Sequence, residues 1–333
     1  MSQEHSQGAG RTARTRDGRE LFYRELPGPG NVSSTDPAAS SGDPAAGPST
    51  DPSAAPVTVV FEGGLAAGLS YWAPVQRAVA KAARAVVYDR SGLGRSPADP
   101  APRPLSRLAE DLGELLDHLG PGPYLLVGHS WGGPVVRLAA GARPERIAGL
   151  VLVDPTDEDC ELVYAPATRR AERVGQLASS WLARLGLLAF AYRGVLAALP
   201  PDAAADMRAE GFTVAAMRTR AAELGSVVPD LRAMQAAPPE LGNLPVTVIS
   251  AGRTSPGMGP RVRVAVTAAN AERAARSPRG RHVVAEEADH MVPIGAPELV
   301  AAEVLRLLET AAGAGKAVGA GEAVGAEEGD IGA

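Results

Sequence analysis

Cys160 is the sequence's sole cysteine, which excludes an internal disulfide framework and a thiolate metal site. Lysine is nearly absent and no basic block occurs. The arginines are scattered among acids and the formal net charge is −5, so no nucleic-acid partner is expected. No apolar run reaches the length of a membrane span: residues 186–199 are apolar but too short, and Arg193 interrupts them. The first sixteen residues are polar and lack the apolar centre of a signal peptide. These absences leave a soluble cytoplasmic protein with no membrane partner as the expectation. Its 333 residues, 45% hydrophobic, suffice for one large domain plus an inserted subdomain.

What is present is an alternation. Asp17-Gly18 closes a hairpin between two short segments. Residues 27–56, built almost wholly from Pro, Gly, Ser, Ala, Asp and Thr, bury too little apolar surface to offset their ordering entropy and are expected to be a disordered surface loop. Val57-Thr58-Val59-Val60-Phe61 reads as a buried strand, residues 71–84 as a helix, and Ala85-Val86-Val87-Tyr88 as a strand. Residues 106–119 read as a helix with Leu108, Leu112, Leu115, Leu116 and Leu119 on one face. Residues 148–153 form another strand. This order predicts a parallel sheet covered on both faces. Residues 155–241 are then helical throughout. Strands resume at 245–250 and 282–285, and a helix closes at 297–310. A helical insertion above strand ends is placed as a lid. The N-terminus over 1–13 is expected to be flexible and the tail over 311–333 disordered.

One turn concentrates the chemistry. The apolar run Tyr124-Leu125-Leu126-Val127 leads directly into Gly128-His129-Ser130-Trp131-Gly132, and a helical pattern follows. This is the sequence form of a nucleophile elbow, in which small residues two before and two after a strained serine let strand and helix approach. The hydroxyl is held up at the carboxyl end of the sheet.

Three further segments stand in order around it: Phe61-Glu62-Gly63-Gly64-Leu65, Asp89-Arg90-Ser91-Gly92-Leu93-Gly94-Arg95-Ser96 and Ala288-Asp289-His290. With the elbow, they make the chain resemble the α/β-hydrolase superfamily from residue 14 to 310. They match its oxyanion loop, the turn after its fourth strand and its histidine loop. The resemblance implies an α/β fold with an eight-stranded, mostly parallel sheet and a helical cap after strand six. Residues 14–154 and 242–310 would form the two parts of the core and residues 155–241 the cap. It does not fix the substrate.

A serine hydroxyl needs a base within hydrogen-bond reach. Among five histidines, His5 lies in a tail, His118 near a helix end, His129 inside the elbow and His282 at a strand start. His290 follows the last strand in an acid-rich loop and is the expected base. Many superfamily members carry the acid just after strand seven, but here that segment is Ser250-Ala251-Gly252-Arg253-Thr254-Ser255-Pro256, without a carboxylate. Asp154, directly after the apolar strand Leu150-Val151-Leu152-Val153, stands where haloalkane dehalogenases and some related hydrolases carry theirs, and is the expected partner of His290. Asp157 and Asp159 are its nearest rivals, with Glu286 and Glu287 behind them. The expected oxyanion donors are the backbone N–H groups of Trp131 and Leu65. Gly63 occupies the place where many relatives carry histidine, so that loop needs support from elsewhere. Glu62 reads as a polar strand end, with bracing of the loop as the alternative. Trp131, which leaves from the elbow itself, and Trp72 are the expected substrate contacts, with packing of a helix onto the sheet beside Tyr71 as the other reading of Trp72; Tyr164, Trp181, Phe190 and Met217 are cap candidates, each with simple helix packing as its alternative.

The expected activity is hydrolysis of an apolar small-molecule ester or lactone through an acyl-enzyme on Ser130, with no cofactor and no metal. Amide or carbon–carbon bond hydrolysis and perhydrolase chemistry use the same groups. From a different class, a slow-turnover ligand receptor on the same fold is the competing reading. Oligomeric state is not legible in the sequence.

Overall fold

A computed structural model describes residues 4–29 and 56–325. Most of the loop expected over 27–56 lies outside the described residues, as do residues 326–333. The strands are β1 (Gly10–Arg14), β2 (Glu20–Leu26), β3 (Thr58–Glu62), β4 (Ala85–Tyr88), β5 (Tyr124–His129), β6 (Ile147–Val153), β7 (Val246–Ala251) and β8 (Gly280–Ala285). They form one sheet in the order β1-β2-β4-β3-β5-β6-β7-β8. The β1–β2 hairpin pairs antiparallel within itself and with β4, and every later pairing is parallel. Each residue of β3, β4 and β5 is buried, as a parallel sheet covered on both faces requires.

Two apolar clusters form the covering layers. One joins the sheet to α2 (Leu105–Leu119) and α3 (Gly132–Ala142); the other joins it to α1 (Ala73–Val79) and α11 (Pro297–Gly325). The leucine face of α2 supplies the buried Leu108, Leu112, Leu115 and Leu116. Five helices fill the interval between β6 and β7: α4 (Pro166–Arg184), α5 (Leu188–Ala191), α6 (Arg193–Ala197), α7 (Pro201–Glu210) and α8 (Val214–Ala236). Leu93, from the turn after β4, packs with Leu188, Ala216 and Met217, and Ala66 lies against the same cluster. The insertion therefore sits over the loops that leave β3 and β4.

Three expectations need correction. The N-terminus is docked from His5 onward: the Gln7 side chain is fully buried and donates to the Leu69 carbonyl and the Gln76 side chain, at 3.1 and 3.0 Å. Buried amide bonds of this kind leave no mark in composition. The helix expected over 71–84 is a 3-10 turn at Leu69–Trp72 followed by the short α1. The closing helix continues past residue 310 to Gly325, through a segment whose alanines favour helix and whose five glycines do not. A further helix, α9 (Pro260–Ala275), joins β7 to β8, and α10 (Val292–Gly295) follows β8.

The register of the sheet places the chemistry. His129 pairs with Val153 at the carboxyl ends of β5 and β6, and Val153 pairs with Ile249 on β7. Ser130 and Asp154 are thus the first residues out of adjacent strands. Both backbones turn sharply there, at φ 52° and 40°, where non-glycine residues are strained.

Candidate active site

Local backbone bonds lock both exits. Ser130 N–H donates to the Val153 carbonyl at 3.0 Å, and the Ser130 carbonyl accepts from Gly133 and Thr156, each at 3.0 Å. Asp154 N–H donates to the Ile249 carbonyl at 2.6 Å. At the elbow, a Cβ on Gly128 would lie 2.5 Å from the Gly132 carbonyl oxygen, and one on Gly132 would lie 2.6 Å from that of Glu62. Only glycine permits that approach. The loop after β8 crosses back over β7, held by the Ala288 carbonyl, which accepts from Gly252 and Arg253 at 3.1 and 2.9 Å. This path carries His290 to the ends of β5 and β6.

The three side chains meet. His290 Nε2 lies 3.0 Å from Ser130 Oγ, and His290 Nδ1 lies 2.6 Å from Asp154 Oδ2. Both contacts are within hydrogen-bond reach for a hydroxyl, an imidazole and a carboxylate. The other acids considered do not reach His290: Glu286 is exposed, and the rest pair with arginines, as does the neighbouring Glu158. Asp157 and Asp159 accept from Arg273, at 2.7 and 2.9 Å, Glu158 forms a two-bond pair with Arg137, and exposed Glu287 pairs with Arg253. Ser255 closes a small turn with Met258 through backbone bonds at 3.2 and 2.8 Å.

A group that sequence reasoning missed grips the carboxylate. Arg263, on α9 and 5% exposed, donates from Nη1 to Asp154 Oδ1 at 2.7 Å and from Nη2 to Oδ2 at 2.9 Å. Ala251 N–H adds a bond to Oδ1 at 3.1 Å. Burial opposes the charge on Asp154, but the bonds and charges of His290 and Arg263 outweigh it and hold the carboxyl well below the usual range.

His129, inside the elbow, is buried beside the base. Its ring packs 4.9 Å from that of His290, and its Nε2 donates to the His290 carbonyl at 2.8 Å. Burial, with the neighbouring His290, lowers its pKa from 6.5 to about 3, so the ring is neutral and carries its proton on Nε2.

The loop after β3 approaches the serine closely. A Cβ on Gly64 would lie 3.1 Å from Ser130 Cβ and from His129 Nδ1, so Leu65 follows a residue already in contact with the elbow. Arg90, from the turn after β4, supplies the support that the missing histidine left open. Its Nη1 donates to the Gly63 carbonyl at 2.6 Å and its Nη2 to the Gly64 carbonyl at 2.7 Å. Glu62 is not a plain polar strand end. It is 1% exposed and accepts from Arg90 and from the Tyr88 hydroxyl. Arg90 also binds Glu223 on α8, which accepts from Arg103 at 2.8 Å. Two arginines thus balance two glutamates. Burial opposes the charge on Arg90, but Glu223 and Glu62 hold it firmly protonated.

The expected substrate contacts fare differently. Trp72 and Trp131 are each 1% exposed. Trp72 packs on Phe61, with ring centroids 5.1 Å apart, and Trp131 joins the cluster under α2 and α3. Burying an indole gains more than leaving it at the surface, and neither side chain walls an open site. Trp181 and Phe190 are 60% and 68% exposed under the guanidinium groups of Arg184 and Arg193. Met217 is buried against Leu93, and the Tyr164 hydroxyl donates to the Glu158 carbonyl.

A family model described as the alpha/beta hydrolase fold matches residues 57–304, well over half of the chain. The chain belongs to the alpha/beta hydrolase family. Lipase LipV of Mycobacterium tuberculosis is 48% identical over 67 residues, covering 20% of this chain and 25% of that protein. The uncharacterized protein YqjL of Bacillus subtilis is 35% identical over 106 residues, covering 31% of this chain and 42% of that protein. The chain thus spans less than half the length of these curated relatives. A thermophilic esterase from Thermogutta terrifontis shares the hydrolase fold at a TM-score of 0.61 and 18% identity, with 91% of this chain and 99% of that one covered. Among the described residues, no helix of this hydrolase-family chain is long and apolar enough to cross a membrane.

Proposed function

We propose that the chain is a serine hydrolase that cleaves carboxylic esters or lactones of small molecules through an acyl-enzyme. The observation that carries this reading is the unbroken relay from Ser130 Oγ through both nitrogens of His290 to Asp154, at 3.0 and 2.6 Å. Ser130 Oγ attacks the substrate carbonyl while His290 Nε2 takes its proton. Asp154 keeps Nδ1–H bound, which fixes the tautomer and stabilises the imidazolium that forms. The carbonyl oxygen becomes an oxyanion and is met by the N–H groups of Leu65 and Trp131, with the Leu65 loop stiffened by Arg90. Collapse of this adduct expels the alkoxide, which leaves with the proton from His290. Water then attacks the acyl-enzyme by the same route, giving the acid and the free serine.

A lipase among the sequence relatives supports ester cleavage, while the putative carbamate hydrolases RutD among them keep carbamate cleavage by the same groups as a second reading. A serine at the elbow disfavours chemistry that needs an aspartate nucleophile. Turnover of a panel of p-nitrophenyl esters and lactones, with Ser130→Ala as the control, tests the reading. Many turnovers per chain in the wild type and none in the variant are expected. A single slow burst would favour a receptor instead.

A further inference from the structure

The β7 loop, where the superfamily pattern would place an acid, leads instead to a cation. Arg263 lies in the first turn of α9 and reaches under the ends of β6 and β7, where its Nη1 also donates to the Ala251 carbonyl at 3.1 Å and its Nη2 meets Met258 Sδ at 3.5 Å. With its two bonds to the carboxylate and the one from Ala251 N–H, each Asp154 oxygen holds two donors. Oδ1 takes Arg263 and Ala251, and Oδ2 takes Arg263 and His290. The carboxylate has no freedom to turn. Resting on the serine-hydrolase reading above, we propose that Arg263 is a positioning residue of the Ser130–His290–Asp154 array, which fixes the carboxylate and sets a positive charge beside the His290–Asp154 pair.

The sign follows from charge. With His290 neutral, Asp154 and Arg263 cancel; protonating His290 leaves the three with a net positive charge in a buried setting. Without Arg263, the same proton would neutralise an unpaired buried carboxylate. Removing the arginine therefore raises the proton affinity of the His290–Asp154 pair, whichever of the two holds the proton. The other groups facing His290 do not take over this role. His129 from β5 is neutral, and Tyr71, from the turn before α1, is a buried neutral phenol whose hydroxyl meets Met291. Ser130 carries no charge. Asp289, in the histidine's own loop, accepts from Met291 N–H at 2.9 Å, and the Arg253–Glu287 pair lies exposed at the edge of that loop.

The test is the rate at which a fluorophosphonate labels Ser130 across pH in wild type, Arg263→Gln, Arg263→Lys and Ser130→Ala. This rate reports the free enzyme and needs no natural substrate. In Arg263→Gln the acid limb is expected to move upward by about one pH unit, the size of a close partly screened charge effect, with a lower alkaline plateau. Arg263→Lys keeps the charge but loses the two-bond fork, so its plateau falls while the limb moves much less. A lowered plateau with an unmoved limb in Arg263→Gln would reduce Arg263 to a structural part and overturn the proposal. Should Arg263→Gln not fold, a limb displaced by a full unit in Arg263→Lys overturns it equally. Absence of labelling in the wild type, or equal labelling of Ser130→Ala, counts against the nucleophile and is told apart from either result.

Discussion

Arg90 in the core donates from Nε and Nη2 to the two carboxylate oxygens of Glu223 in the cap, at 3.1 and 2.9 Å. The same guanidinium holds the Gly63 and Gly64 carbonyls, so the cap helix α8 and the loop beside Ser130 share one support. Arg90→Lys keeps the charge but loses the planar fork. Its kcat on p-nitrophenyl esters is expected to fall about tenfold with a smaller change in KM, because under the proposed mechanism a loosened loop after β3 acts on the transition state. Glu223→Ala leaves two buried arginines with one carboxylate and is expected to destabilise the fold by about 3–5 kcal/mol in denaturant unfolding. An unchanged kcat in Arg90→Lys would separate the loop from this network.

Asp154→Asn removes the acceptor that orients His290 and leaves Arg263 buried without its counter-ion. Turnover is expected to drop by about 10⁴-fold. The stability of the wild type carries a linked signature. The folded pKa of Asp154 lies below its ordinary 3.8, so the stabilisation is fully present above that value and is lost as pH falls toward the lower folded value. Melting temperatures measured from pH 5 to pH 3 are expected to fall more steeply in wild type than in Asp154→Asn.

His129 supplies a second acid-sensitive contact, with the opposite chemistry. Its folded pKa of about 3 lies below the ordinary 6.5. Below pH 6.5 the unfolded chain takes up a proton that the folded chain refuses until about pH 3, so stability declines across that window as acid is added. A glutamine amide can still donate to the His290 carbonyl without titrating. His129→Gln is therefore expected to show a flatter stability profile between pH 6.5 and pH 3, checked by urea unfolding at several pH values. A profile as steep as that of the wild type would place the titrating group elsewhere.

Trp181 and Phe190 stand in solvent on α4 and α5. Trp181→Ala and Phe190→Ala are each expected to change stability by less than about 0.5 kcal/mol, as surface substitutions do. Their kcat/KM on soluble esters should match that of the wild type. A severalfold loss would show that these rings reach the substrate after all.

Periodicity carried much of the fold. Buried apolar strands and the leucine stripe of α2 announce themselves because sheet and helix burial each impose a period on the sequence. Ser130 and Asp154 were legible because each is the first residue out of a readable strand, and His290 because it stands in the loop after the last one. Arg263 was not. Its segment, Arg261-Val262-Arg263-Val264-Ala265-Val266, alternates like a strand yet folds as a helix, so no face of α9 marked it as inward. Arg90 stood in a recognised turn, but its partners Gly64 and Glu223 lie 26 and 133 residues away, and such pairing is set by tertiary packing alone. Trp131 shows a related limit: its place in the elbow does not say on which side of the sheet its side chain is buried.

The most direct measurement is intact-mass and peptide analysis after exposure to a fluorophosphonate. Acyl-transfer chemistry on this array predicts one adduct per chain, on the peptide containing Ser130, and none on Ser130→Ala. An unlabelled wild type, or an adduct that persists in Ser130→Ala, would contradict it.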